Sequence, residues 1–299
     1  MTPDLLVELE PVVEANLDRH LDAAKEWMPH EYVPWGEGRD FVTEPWALEQ
    51  SQLSPVARTA FEVNLLTEDN LPSYHFEIAS RFGRDGAWGT WVHQWTAEEG
   101  RHAMCMRDYL LVTRAVDPTQ LERDRMAQMR TGYNAGTKTS IEALAYVSFQ
   151  ELATRIAHRN TGRYTNEPTA ERLLARVAAD ENLHMIFYRD LVRAALQISP
   201  DETVQAIATE AMRFEMPGTG IRDFSRRAVQ IAKAGIYDLR IHHDEVLSPL
   251  LRAWKFFELE GLSAAAEQAR QQLAAFLNDI EEMAASIEAK RDLALAASH

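Results

Sequence analysis

The chain has 299 residues, 46% of them hydrophobic, with a formal net charge of −15 and one cysteine. That length can bury one large core or two smaller ones; the lone Cys105 excludes an internal disulfide, and an acidic balance without a basic tract argues against a nucleic-acid partner. No run of about 18 uncharged apolar residues exists to span a membrane, and Met1–Glu10 lacks the basic and apolar regions of a secretion signal, so a cytoplasmic protein is expected.

Gly and Pro are scarce, at 13 and 12, and the long stretches favour Ala, Leu, Glu, Arg and Gln with no strand-like alternation, which points to an all-α protein. A first helix is expected over residues 3–27, opened by Thr2-Pro3 and closed by Trp27-Met28-Pro29. The aromatic stretch from Tyr32 to Trp46 reads as an irregular segment wrapped on the bundle. The next helix starts near Ser54-Pro55 and runs to about Phe82; Pro72 cannot donate to the Glu68 carbonyl, so a kink is expected there. Another covers about 87–112, with Cys105 read as a small buried hydrophobe beside His102.

Asp117-Pro118 opens a long crossover with a short helical piece near 121–130 and a loop at Gly132–Gly136, a length suited to parallel pairing of the helices it joins. Helices follow over about 138–160, turning at Thr161-Gly162, and from Glu167-Pro168 to Gln197. Further helices are expected near 201–215, 221–235, 238–260 and 263–296, the last solvated and amphipathic. His242 and His243 are adjacent, cannot share a helix face, and read as ordinary polar positions. No low-complexity linker divides the chain, so one domain of residues 1–299 is expected, with a core at about 54–197 and accessory helices at 3–27 and 201–296.

Two short motifs stand out on this helical background. Glu99 and His102 are three residues apart, as are Glu181 and His184, and three residues of helix place such a pair on one face at about 5–6 Å between Cβ atoms. One Glu-x-x-His arises easily by chance among 10 histidines. Here, however, Glu68 stands 31 residues before Glu99 and Glu151 stands 30 before Glu181, so the arrangement occurs twice, offset by about 83 residues. Thirty residues make one helix, a turn and part of a returning helix, which brings each lone Glu level with its Glu-x-x-His. Two such hairpins supply four carboxylates and two imidazoles, the ligand set of ferritin-like di-iron and di-manganese proteins.

The ligands also sit within apolar stripes: Trp88, Trp91, Trp95, Glu99, His102, Met106 and Tyr109 on one helix, and Leu174, Val177, Glu181, His184, Tyr188 and Leu191 on another. Ionised carboxylates buried there require cations. Mixed carboxylate and imidazole ligation suits iron or manganese better than zinc. A ligating His usually gives its second N–H to a carboxylate, so Asp180 is expected at His102 and Glu98 at His184. Trp95 reads as core filling.

Leu66-Thr67-Glu68-Asp69-Asn70-Leu71-Pro72-Ser73-Tyr74, Trp95-Thr96-Ala97-Glu98-Glu99-Gly100-Arg101-His102, Ser148-Phe149-Gln150-Glu151-Leu152-Ala153-Thr154 and Ala179-Asp180-Glu181-Asn182-Leu183-His184 together resemble the soluble acyl-acyl-carrier-protein (acyl-ACP) desaturases, of the mycobacterial type. The likeness covers roughly residues 10–200 and is vaguer beyond. It implies a ferritin-like four-helix bundle with added N- and C-terminal helices, two iron ions with manganese as a substitute, O2, and electrons from a ferredoxin-type donor. The implied reaction, in fatty acid biosynthesis, removes two hydrogens from an acyl chain carried on acyl carrier protein. It further implies a homodimer and the ligands Glu68, Glu99, His102, Glu151, Glu181 and His184, with Glu99 and Glu151 or Glu68 and Glu181 able to bridge or chelate. Thr154 resembles a hydroxyl used in oxygen activation, against the alternative of back-bonding to its own helix. Asp180 and Trp27 resemble a relay leading from a ligand histidine to the surface.

Some positions depart from the family pattern. Asn182 and Leu183 replace basic residues, and Glu77 and Arg81 fall where relatives line the acyl cavity with apolar groups. The pair either faces solvent or changes the substrate or the activity. His75 and His158 lie seven residues beyond Glu68 and Glu151, too far along the helix to join the same metal. Arg222, Arg226, Arg227 and Lys233 form a basic run that could meet an acidic carrier protein, although a solvated helix face is the preferred reading. The alternatives to a desaturase are another di-metal oxidase and an acyl-ACP-binding relative of reduced activity. A radical-generating subunit would want tyrosine one turn past a ligand histidine; Met106 occupies that place after the first pair and Tyr188 after the second.

Overall fold

The computed structural model describes residues 5–218 and 220–296, and among these no strand occurs. Helix α1, Leu5–Ala23, buries Leu9, Val13, Leu17 and His20 along one stripe, packed on the later helices α4 and α7. It ends earlier than the sequence suggests, and positions 3 and 4 lie outside the described residues. Pro29 disfavours helical backbone at Met28, which is extended, and the irregular stretch at 24–28 lets the Trp27 ring turn inward, where it is 4% exposed. The wrapping segment is fastened by buried Arg114, which donates to the Glu44 carbonyl at 2.5 Å and to Gln50 at 2.8 Å.

The expected kink at Pro72 is a full break. Helix α2, Pro55–Glu68, is capped by Ser54, and α3, Leu71–Phe82, restarts after the Asp69-Asn70 turn. Pro72 both lacks an N–H for the Glu68 carbonyl and crowds it, so Glu68 becomes the last residue of a helix. Helix α4 covers Gly86–Val112, and α5, Pro118–Thr131, forms the helical part of the crossover with Asp117 capping Thr119 and Gln120.

Helix α6, Ser140–Thr165, runs straight through the expected turn at Gly162 and ends at Asn166, in the left-handed region at φ 52°. A Cβ on Gly162 would lie 3.2 Å from Glu171 Cα and from Leu174 Cβ, so this glycine permits close approach of two helices instead of breaking one. The second of them, α7, is Pro168–Ile198, capped by the Glu167 carboxylate. The close pairs are α2 with α4, α2 with α6, α6 with α7 and α4 with α7, so α4 and α6 lie diagonally across a four-helix bundle and not side by side.

Helix α8, Pro200–Met212, covers α6, and α12, Ala264–Ala296, covers α8. Between them lie α9, Phe224–Lys233, the short α10, Leu239–Ile241, a π-helical turn at His242–Leu247 and α11, Ser248–Ala253. His242 is no ordinary polar position: it stacks on Phe214 at 4.9 Å, and burial pushes its imidazole pKa down to about 4. Among the described residues no helix is long and apolar enough to cross a membrane.

Candidate metal centre

Four helices aim their side chains at one point. Glu68 closes α2, Glu99 and His102 project from α4, Glu151 from α6, and Glu181 and His184 from α7; all are buried. They form two overlapping groups with metal-ligand spacing, Glu68, Glu99, His102 and Glu181 in one and Glu99, Glu151, Glu181 and His184 in the other. Glu99 and Glu181 belong to both groups, a pairing other than the two the sequence suggested. His102 Nδ1 lies 3.3 Å from both Glu99 Oε2 and Glu181 Oε1, and 3.8 Å from Glu68 Oε2. His184 Nδ1 lies 2.9 Å from Glu99 Oε1 and 3.6 Å from Glu151 Oε2.

The cluster fits a pair of cations. His102 Nδ1, His184 Nδ1, Glu151 Oε2 and Glu181 Oε1 are buried, and none has a hydrogen bond among the described residues. Such atoms are costly unless something else binds them. Electrostatics agrees. Burial, reinforced by the charge of Glu181, pushes Glu99 up to about 7 and Glu151 well above the usual carboxylate range. Burial would raise Glu68 as well, but the neighbouring imidazole of His102 and the hydrogen bond with His158 bring it below that range. Four carboxylates crowded into a dry core repel one another, and oxygen and nitrogen donors in this mixture suit divalent iron or manganese.

A surrounding layer fixes the imidazoles. His102 Nε2 faces Asp180 Oδ2 at 3.4 Å, and His184 Nε2 faces Glu98 Oε2 at 2.8 Å. Trp27 Nε1 donates to Asp180 Oδ2 at 2.7 Å, and Arg176 pairs with the same carboxylate. Thr154 Oγ1 is 2.9 Å from Glu181 Oε2 and 3.1 Å from the carbonyls of Gln150 and Glu151, so cluster and helix compete for its one proton.

Other side chains reach the cluster without having been singled out for it. Trp95, read as core filling, donates to Glu151 Oε1 at 3.1 Å. His158 does not reach the carboxylate on its own helix; it meets Glu68 across the bundle at 2.9 Å. His75 turns away, to Thr96 at 2.8 Å. His20 and Gln94 hold Glu98, at 3.0 and 2.7 Å. His20 continues the stripe Leu9, Val13, Leu17, and a histidine in an apolar stripe was the available signal.

Two cavities flank the cluster along the seam of α2 and α3 with α6. One, about 670 Å³, is walled by Glu68, Thr154 and His158 on one side and by Met216, Phe224 and Ile231 on the other. The second, about 480 Å³, is lined by Trp95, Gln150, Tyr74, Tyr146, Glu77 and Arg81. Glu77 and Arg81 thus face the cavity, paired at 3.2 Å, and Arg81 also donates to the carbonyls of Gly136, at 2.8 Å, and Lys138. In the basic run, Arg227 pairs with Glu62 at 3.0 Å and with Asp124 at 3.7 Å, which ties α9 to α2 and α5, and Arg222, just before α9, pairs with Asp124 at 2.9 Å.

Bundle and cluster together define a ferritin-like helical protein built around a buried carboxylate and imidazole cluster with metal-ligand spacing. Residues 2–298 match the family described as fatty acid desaturase, and the chain belongs to that family. It is 48% identical, over 93% of its length and 85% of the relative's, to a Mycobacterium tuberculosis protein provisionally named acyl-ACP desaturase DesA1. It is 30% identical to a chloroplastic stearoyl-ACP 9-desaturase of Gossypium hirsutum, over 90% of this chain and 73% of that one. The X-ray structure of the provisionally named acyl-ACP desaturase DesA2 of M. tuberculosis H37Rv superposes with a TM-score of 0.72 at 33% identity, covering 89% of this chain and 98% of the other. Membership makes the protein an oxidoreductase.

Proposed function

We propose that this protein is an O2-dependent acyl-ACP desaturase that introduces a double bond into a fatty acyl chain held on acyl carrier protein, in fatty acid biosynthesis, with two iron ions and electrons from a ferredoxin-type donor. The observation that carries the reading is the convergence of six buried ligand side chains, several with unpaired donor atoms, beside two cavities with apolar walls. Bound iron would supply oxidising power for an unactivated C–H bond, which side-chain acid–base chemistry cannot break.

The rest is the work of the chain. Glu68, Glu99, His102, Glu151, Glu181 and His184 would hold the ions, and Asp180 and Glu98 fix which imidazole nitrogen faces them. The apolar walls exclude water and align the acyl chain past Thr154, whose proton is shared with Glu181 Oε2. Trp27, Asp180 and His102 form a contiguous chain that we assign to electron delivery. A homodimer belongs to the same reading.

Glu77 and Arg81 in the second cavity favour a substrate unlike those of an all-apolar channel. An acyl segment that extends from the cluster into this second cavity would meet the ion pair, so the segment held there is short. To test the function, iron-loaded protein is incubated with acyl-ACPs of varied length, reduced ferredoxin and O2, and the products are read by mass spectrometry. The expected product is two hydrogens lighter with one double bond. Unchanged saturated chains from protein that is metal-loaded and reducible would refute the reading.

A further inference from the structure

Both imidazoles of the cluster give their outer nitrogen to a carboxylate, but the two carboxylates are held differently. Asp180 is secured by Trp27 and Arg176. Glu98 is secured by Gln94 and by a histidine from outside the bundle, His20 of α1, whose Nε2 lies 3.0 and 3.2 Å from the two carboxylate oxygens. We propose that His20 is a positioning residue for one half of the metal centre, holding Glu98 against His184 so that the accessory helix α1 selectively stabilises the ion bound by His184. The inference rests on the metal-binding reading above.

The geometry leaves His20 little freedom. Its ring is 2% exposed, meets Trp91 edge-on at 5.0 Å and stacks on His184 at 5.8 Å with 24° between the planes. A carboxylate set between two imidazole nitrogens is best served by accepting from both, with the Nε2–H groups of His20 and His184 as donors. That leaves Nδ1 of His184 turned into the cluster, the atom that must be free of hydrogen when an ion is bound. His20, Glu98 and His184 also have metal-ligand spacing among themselves, but an ion there would have to displace both of those hydrogens, so the group serves as a hydrogen-bonded support. Without His20, Glu98 is free to turn toward Arg101, 3.9 Å away, and lose its grip on His184.

The test is a Mn2+ titration of metal-free wild type, His20→Gln and His20→Leu, followed by electron paramagnetic resonance, which separates an isolated ion from a coupled pair. Removing the partner of a metal-bound histidine typically costs about 10–100-fold in affinity. His20→Leu is expected to lose about that much at one ion only, leaving an isolated-ion spectrum where wild type shows the pair. His20→Gln places an amide N–H near the same point and is expected to restore the pair. Equal weakening of both ions, weakening of neither, or failure of His20→Gln to restore would overturn the proposal. Should His20→Leu fail to fold, His20→Asn, which stays polar but withdraws the donor, makes the same comparison. Wild type that takes up no ions would overturn the metal reading, and this inference with it; two ions in wild type and an unaffected variant would overturn this inference alone.

Discussion

Glu77 and Arg81 show how far a single residue can be read without its neighbours. Their spacing of four announces a pair, but which way the pair faces depends on the loop at Gly136–Lys138, whose carbonyls anchor Arg81 against the cavity. A part-exposed pair of this kind contributes little stability, so replacing it is expected to change specificity more than folding. Glu77→Met with Arg81→Leu should raise kcat/KM for acyl chains longer beyond the reacting bond about tenfold relative to shorter ones, since each added methylene in an apolar pocket is worth ~1–3 kcal/mol. Competition assays on mixed chain lengths would show it, and an unchanged length profile would contradict it. The six convergent residues, by contrast, are legible in the sequence because a repeated spacing of Glu with Glu-x-x-His has a geometric meaning on helices. His20 and His158 are less so, because each meets a carboxylate on a helix far away in sequence.

Helix ends and turns divide in the same way at the scale of elements. Starts marked by Ser54, Asp117 and Glu167 are local events in which a side chain accepts from the first free N–H groups, and sequence shows them well. Gly162 misleads because its role is tertiary, a contact between α6 and α7 that no single-helix rule contains. Pro72 gives the position of the disruption but not its extent. The Glu167 cap allows a pH test. Its carboxylate accepts from Thr169 N at 2.8 Å, Ala170 N at 2.7 Å and the Tyr109 hydroxyl at 2.6 Å. Burial opposes its ionisation, but the Tyr109 and backbone hydrogen bonds prevail and lower its pKa below the ordinary 4.5. A carboxylate depressed on folding stabilises the fold above its unfolded pKa, and the benefit fades as pH falls through the folded value. Glu167→Gln is therefore expected to cost about 1 kcal/mol at pH 7 and progressively less below pH 4.5 in denaturant melts. A cost that does not shrink in acid would show that the charge is irrelevant.

For the molecule as a whole, the all-helical class and the central bundle follow from composition and period, while the assembly around it does not. That α4 and α6 lie diagonally, that α1 reaches the cluster through His20, and that cavities open on the seam with α6 are outcomes of packing between remote segments. The same packing strips water from four carboxylates and leaves them in need of cations. Anaerobic ferrous titration of the metal-free protein, with elemental analysis and thermal melts on the same samples, measures that need. Two ions bound per chain are expected, with a melting temperature that rises with loading because only the folded state assembles the ligands. Folded protein that saturates below two ions, or that takes up iron with no gain in melting temperature, would contradict a metal centre at this site.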